Sequence, residues 1–464
     1  MMSGSSFDYL DRHAREAPDR IAITGPRGQI DWARFRSDAG RAARALETLG
    51  LQPGRIAVIS HPDPYVEWLL TIACDSLGII SASLPPGDAD AGQLLGLADL
   101  VLTEERVAGL LAQTGGMAGD HRRHPAGADT PIRIIRTSGS TGTPKCLLLT
   151  RRMQNHWIDG VITLNFRGEV PRYYAAYPLS VNPHYFRMEA CLRRGGTIIL
   201  GQTSQDLVTY EASDAWLLPR DMEKLLQGVR GGRWPSPRPL HMSLAGGPVS
   251  TALYDATASL FGTKVLNSYG TNEVGRVGQV DRNGVVTLFP DVELQILDES
   301  EQPSPPGEAG RIVVRTPGIA AGYLNDPEAN AEHFRQGWFY TDDVGVRLDD
   351  GHFRLVGRRS EIINLGGIKI LPLPIEEKLR ANIPGIQEVV VTSIPGPQGI
   401  EELCLAIVPA PSADRSAIVA AIGREIDSTL GQVWLRLFDK LPVGASGKVQ
   451  QAALREIFAA GRQR

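Results

Sequence analysis

Between Arg20 and Gly270, short apolar runs alternate with stretches of helical periodicity. This alternation confines the chain to a wound α/β layer on a largely parallel sheet, because parallel strands need a crossover element between them. "FDYLDRHAREA" places Phe7, Leu10 and His13 at helical spacing, and "RIAIT" follows as a strand. Arg34 to Leu49 reads as a helix ending at Gly50, "RIAVIS" as a strand, and "YVEWLLTIACDSLG" as a helix closed by Gly78. "GIISASL", "ADLVLT", "GTIIL", "AWLL", "HMSLAG" and "TKVLNSYG" continue the series of short apolar strands.

From about residue 280 the texture changes. "VVTLFPDVELQIL", "GRIVVRTPG" and "GHFRLVGR" are closely spaced strands with turn residues between them. They suggest a β-rich subdomain over about 280–356. After Gly357 and Arg358 the chain begins again: "EVVVTSIPG", "ELCLAIVPA", a helix in "SAIVAAIGREID" and the strand "VWLRLFD" make a compact α+β unit. The expected organisation is a large N-terminal domain over 1–358 and a small C-terminal domain over 359–464.

A net charge of −4 with both signs interspersed gives no electrostatic case for nucleic acid or an anionic membrane. The four cysteines, Cys74, Cys146, Cys191 and Cys404, are scattered, with no CxxC pair, and read as small buried residues rather than metal ligands or disulfides. The N-terminal stretch lacks the apolar core of a secretory leader, and no apolar run approaches the ~20 residues of a membrane helix. The expectation is a cytoplasmic protein.

The stretch with the most chemistry is "TSGSTGTPK", residues 137–145, set between the strand-like runs "IRIIR" and "CLLLT". Gly139 and Gly142 permit positive φ, so successive N–H groups can point inward around an anion. Ser138, Ser140, Thr141 and Thr143 add hydroxyl donors, and Lys145 adds a positive charge. The loop lacks the Gly-Lys-Ser/Thr ending of a Walker loop. A plain hairpin turn needs neither so many hydroxyls nor the lysine.

This loop resembles the phosphate-binding loop of the adenylate-forming superfamily, which comprises acyl- and aryl-CoA synthetases, stand-alone adenylation domains and luciferases. The resemblance continues in order along nearly the whole chain. It implies that Thr137, Ser138, Gly139, Ser140, Thr141, Gly142 and Lys145 hold the ATP phosphates. In "LAGGPVS", Gly246, Gly247 and Pro248 are similar to the turn that lies against adenine. In "NSYGTNEVG" the resemblance implies that Asn267 contacts adenine, that Tyr269 beside Gly270 stacks on it, and that Glu273 holds Mg2+. Asn272 stands where the family usually has a threonine contacting the α-phosphate. "GWFYTDDVG" puts Asp343 on the ribose-binding aspartate, with Asp342 in place of the usual glycine. "GRRSEIINLGGIKI" resembles the crossover into a mobile C-terminal domain: Arg358 on the ribose, Ser360 at the hinge where the family usually has Asp or Lys, Gly366 and Gly367 beside the thiol channel. Lys448 in "LPVGASGKVQ" aligns with the catalytic lysine.

The implied function is activation of an aryl or acyl carboxylic acid by ATP and Mg2+ to an acyl-adenylate, then thioester formation with CoA. An alternative acceptor is the phosphopantetheine arm of a carrier protein, and a nucleotide-binding homologue with impaired catalysis is a further reading. The acid pocket is expected in "AAYPLSVNPHYFRMEACLRRGG", with Ala176, Tyr177 and His184 as candidates and Arg187 nearby. Ala175 and Ala176 replace a His-Asn pair of dihydroxybenzoate-activating members, which argues against a 2-hydroxylated aryl acid.

Overall fold

A computed structural model describes residues 4–88, 90–113, 121, 123–125, 127–137, 144–166, 170–229, 239–247, 249–366, 368–396, 400–426, 430, 432–443 and 449–462. The chain divides into two compact units. The first comprises Met1–Leu294 with Val313–Tyr340, and the second Gln295–Ile312 with Thr341–Arg464.

The first unit is the α/β body that the alternation demands. One sheet runs in the order Leu100–Thr103, Ile56–Ser60, Ile80–Ser83, Pro131–Thr137, Lys145–Thr150, parallel until the last pair, which is an antiparallel hairpin. The helix Pro64–Leu77 is a typical crossover. Asp63 caps its N-terminus by accepting the Tyr65 N–H, Pro64 takes the first helical position, and Gly78 closes it in the left-handed conformation. A second series of strands runs in the order Val285–Leu288, Gly275–Val280, Leu266–Thr271, His241–Ala245, Asp214–Leu217, Arg172–Tyr174, Thr197–Ile199, Ile21–Gly25, Gly28–Asp31. Its interior pairs are parallel and its outer pairs antiparallel.

Strand periodicity separates the two faces of this sheet. Tyr174, Ala215 and Leu217 join an apolar core with Met222, Leu225, Met242 and Leu244. Tyr173 and Trp216 therefore turn to the other face, on which the helix Asn182–Arg193 presents His184 and Arg187 one turn apart.

The closely spaced strand His352–Arg358 belongs to the second unit, while Ala309–Arg315 runs from the second unit into the first and Trp338–Arg347 from the first into the second. Its α+β portion has a three-stranded sheet of Ile386–Pro395, Glu401–Pro409 and Val433–Leu437. Leu403, Leu405 and Ile407 enter one core with Leu379, Ile418 and Ile422, while Cys404, Ala406 and Val408 enter another with Leu454 and Phe458. A strand buried on both faces must be apolar at every position, which is why "ELCLAIVP" shows no alternation.

All four cysteines are buried free thiols. Among the described residues no helix is long and apolar enough to cross a membrane.

The first unit also buries charge. Glu67, on the Pro64–Leu77 helix, is 6% exposed. Burial pushes its carboxyl up to about 7, against the opposing pull of a Ser83 hydrogen bond and of Arg133. A carboxyl raised in the folded state stabilises fully below its unfolded value, and that contribution is lost as pH rises to the folded value. Wild-type protein is therefore expected to lose roughly 1–3 kcal/mol between about pH 5 and about pH 8 from this group. Glu67→Gln keeps the acceptor for Ser83 and removes the charge, so its melting temperature should fall less over that interval. Parallel melting curves for the two proteins would contradict this account.

Candidate active site

The Pro131–Thr137 and Lys145–Thr150 strands pair so that Thr137 lies opposite Lys145. The two ends of the glycine- and hydroxyl-rich loop are thus held together by the hairpin. Ser138, Gly139, Ser140, Thr141 and Gly142 lie outside the described residues. Next to the root of this loop comes the end of the Leu266–Thr271 strand. Asn272 Nδ2 donates to the Arg136 carbonyl at 3.5 Å, and Asn272 Oδ1 accepts from Asn182 Nδ2 at 3.2 Å. Asn182 in turn accepts from the buried Arg133 guanidinium at 3.1 Å. An amide donates and accepts at the same time, so Asn272 can be anchored on two sides. That gives a physical reason for an asparagine at this position.

Glu273 is buried, and its Oε1 accepts the Tyr323 hydroxyl proton at 3.0 Å. Its carbonyl accepts the Ala320 N–H at 2.7 Å. Burial pushes its carboxyl above the usual range, with the Tyr323 bond opposing. Tyr323 also lies under Lys145, whose Nζ is 5.0 Å from the ring centroid, and Lys145 pairs with Asp326 at 3.3 Å. Asp326 caps the helix Pro327–His333 by accepting the Ala329 N–H. That bond, with Lys145 adding to it, holds its carboxyl below the usual range. The chain of Lys145, Tyr323, Glu273 and Asn272 ties the phosphate-loop root to the metal candidate. Sequence reasoning missed Tyr323 and Asp326. The available signal was "GYLNDPE", a polar turn opening a helix within an otherwise strand-rich stretch.

Among the described residues there is no cluster of three or more His, Cys, Asp or Glu that could hold a metal ion. One buried carboxylate suits Mg2+, which takes most of its ligands from phosphate and water and one or two from protein carboxylates. Glu273 fits that role.

On the same sheet Asn267 is buried, opposite Leu244 on one side and Val280 on the other. Tyr269 lies opposite Gly278, and the ladder shifts register between Tyr269 and Gly270. Gly270 has no room for a side chain: an added Cβ would sit 2.3 Å from the Gly275 carbonyl oxygen. Gly246 and Gly247 follow the His241–Ala245 strand, and Gly246 takes a φ of +89°, which favours glycine. Pro248 lies outside the described residues.

In the second unit, Asp343 and Arg358 face each other on adjacent antiparallel strands, with Arg358 Nε 3.2 Å from Asp343 Oδ1. The Ser360 N–H donates to Asp342 Oδ1 at 3.3 Å, and the Ser360 hydroxyl donates to Asp342 Oδ2. Two departures from the superfamily pattern, Asp342 and Ser360, are thus partners of each other. Gly366 sits in the turn between Ile363–Leu365 and Ile368–Ile370, with φ +66°. Gly367 and Lys448 lie outside the described residues.

The acid-pocket candidates belong to the first unit. Ala176 and Tyr177 are partly buried against its apolar core. The Tyr177 hydroxyl donates to Asp221 Oδ2 at 2.8 Å and accepts the Leu218 N–H at 2.9 Å. His184 is fully buried, its Nδ1 3.0 Å from the Tyr173 hydroxyl. Burial first, then Arg187 and Arg133, pushes its imidazole down to about 3, so it is neutral. Burial likewise pushes the Arg187 guanidinium down to about 10.

The profile of the AMP-binding enzyme family matches residues 93–324, half of the chain. A fatty acid–[acyl-carrier-protein] ligase, MmaC, of Mycobacterium marinum is 25% identical over 97% of this chain and 96% of its own. A feruloyl-CoA synthase of an Amycolatopsis species is 29% identical over 96% of this chain and 98% of its own. In fold, the chain is similar to o-succinylbenzoate CoA synthetase (MenE) of Bacillus subtilis, solved with its acyl-adenylate. The TM-score is 0.83 at 21% identity, covering 96% of this chain and 97% of that one. The profile match, the full-length likeness to both ligases and the shared fold lead to one statement: the chain belongs to the AMP-binding enzyme family.

Proposed function

We propose that this protein is an acid–thiol ligase that activates a carboxylic acid with ATP and transfers the acyl group to CoA. The observation that carries this reading is the joining of two distant motifs, with Asn272 bonded to the Arg136 carbonyl at the root of the phosphate loop and Glu273 linked through Tyr323 to Lys145. In the first step a substrate carboxylate oxygen attacks the α-phosphorus. The bond from that phosphorus to the bridging oxygen breaks, and pyrophosphate leaves with the electron pair. The residues 137–145 hold the phosphates, and Lys145 and Asn272 offset and orient their charge. Mg2+, when bound, supplies charge compensation on the phosphates. Glu273 would hold it, its carboxylate oriented by the Tyr323 hydroxyl.

In the second step a thiolate attacks the acyl carbon and AMP leaves. A rotation at Ser360 of the small domain, residues 359–464, would exchange Lys448 for Gly366 and Gly367 at the reaction centre. Relatives named for a carrier protein and for CoA cover the chain equally. The second reading is therefore a carrier-protein phosphopantetheine thiol as acceptor. ATP–pyrophosphate exchange over a panel of carboxylic acids tests the first step, and thioester formation with free CoA against carrier proteins bearing a free phosphopantetheine thiol tests the second. An absence of exchange with every acid would overturn the ligase reading.

The ribose site yields a further expectation. Asp343→Ala removes an acceptor for the ribose hydroxyls and the carboxylate that holds Arg358. The Kd for ATP should rise about 10- to 100-fold, the loss of one or two hydrogen bonds to a charged group. An unchanged Kd by calorimetry would place the ribose elsewhere.

A further inference from the structure

Four arginines are buried among the described residues: Arg133, Arg151, Arg187 and Arg193. Arg151 pairs with Asp75, Arg193 with Asn155 and Asp159, and Arg133 with Asn182 and the Leu179 carbonyl, with Glu67 and Glu189 near enough to act on its charge. Arg187 differs. Among the described residues its one side-chain hydrogen bond is to the Pro183 carbonyl at 2.8 Å, a group in the preceding turn of its own helix. Among the described residues its Nε has no partner, as in the other three, but here no carboxylate acts on the guanidinium either. A buried cation is normally paired.

The guanidinium does not stand alone. It lies over the Trp216 ring at 5.3 Å, and Trp216 meets Tyr177 edge-on at 5.1 Å. Tyr177 meets His184 at 6.0 Å, and His184 meets Tyr173 at 5.7 Å. Within this one cluster His184 Nε2, Arg187 Nε and Trp216 Nε1 are all buried without a hydrogen-bond partner among the described residues. The phenol of Tyr173 keeps its proton, because burial raises it, and can donate to His184 Nδ1. Nε2 then carries the imidazole proton. All three orphans are donors, and one is cationic, a combination that suits an acceptor bearing negative charge.

We propose that Arg187, His184 and Trp216 form a subsite for a second anionic oxygen group on the acid, so that the substrate is a dianionic carboxylic acid such as a dicarboxylate or sulfocarboxylate. This rests on the ligase reading above: one carboxylate goes to the α-phosphorus, and the other end of the molecule is held by the Arg187 cluster. Tyr177 packs between Trp216 and His184 in this cluster.

The experiment is ATP–pyrophosphate exchange with matched acid pairs: succinate and butanoate, glutarate and pentanoate, terephthalate and 4-methylbenzoate, 4-sulfobenzoate and 4-methylbenzoate. Wild-type enzyme is expected to prefer the dianion of at least one pair by roughly 100-fold or more in kcat/KM, since a site built of buried donors rejects an analogue that leaves them unpaired. In Arg187→Gln that ratio should collapse toward unity through loss on the dianion side, and Arg187→Lys should keep part of it. The wild-type comparison stands without any variant. Exchange in which the monoanion of every pair does as well or better overturns the subsite and leaves the ligase intact. A variant losing both members of a pair equally shows Arg187 to be structural and also overturns it. Exchange with no acid of any kind overturns the ligase reading itself.

Discussion

Glu273→Gln is expected to lower ATP–pyrophosphate exchange by roughly 10²- to 10³-fold while leaving the folded protein at least as stable as its parent. The two effects separate for a physical reason. The Glu273 carboxylate is buried, and burial works against its charge. A glutamine of the same shape carries no charge, and its oxygen still accepts the Tyr323 hydroxyl proton that Glu273 Oε1 accepts at 3.0 Å. The folded state therefore loses a desolvation cost and keeps its hydrogen bond. What disappears is the anionic group proposed to hold Mg2+, and with it the charge compensation it would give on the phosphates. Raising Mg2+ should restore part of the activity. Exchange within about threefold of the parent would remove Glu273 from the metal site.

Lys448→Ala is expected to lower the same exchange by roughly 10²- to 10³-fold, with thioester formation from a supplied acyl-adenylate reduced less than about tenfold. The asymmetry follows from what each step needs. Forming the adenylate concentrates negative charge on the carboxylate and the α-phosphate, where a lysine stabilises it. Breaking the adenylate with a thiolate expels AMP, and the lysine is by then withdrawn by the hinge rotation proposed at Ser360. Equal loss in both steps would argue against an exchange of residues at the reaction centre. Loss in neither would place the lysine outside the active site.

Much of the architecture was legible in the chain. "IRIIR" and "CLLLT" read as strands because a short apolar run bounded by turn residues has few other ways to bury itself, and they pair as Pro131–Thr137 and Lys145–Thr150. The mixed α/β class followed from the same reasoning, as did "VLNSYG", which is the Leu266–Thr271 strand. The phosphate-loop glycines and hydroxyls, Glu273 and Asp343 are candidates that the family resemblance supplies. The partners that hold them could not be read from the sequence. Asn182 and Asn272 are 90 positions apart, Tyr323 and Glu273 are 50 apart, and nothing local to either member signals the other. Asp342 and Ser360 each read as an isolated departure until their hydrogen bonds were seen.

The amino-acid order alone therefore determined the succession of strands and helices and the residue types offered for the candidate site. Both depend on periodicity and residue type over a few positions, where backbone geometry leaves little choice. The tertiary structure decided which of those groups are paired and which are not. A hydrogen bond or ion pair depends on distance and direction between residues that the sheet order brings together from far apart in the chain. Arg187 illustrates the division: its charge is evident from the sequence, and its burial beside Trp216 without a carboxylate appears only when the strand Asp214–Leu217 and the helix Asn182–Arg193 pack together.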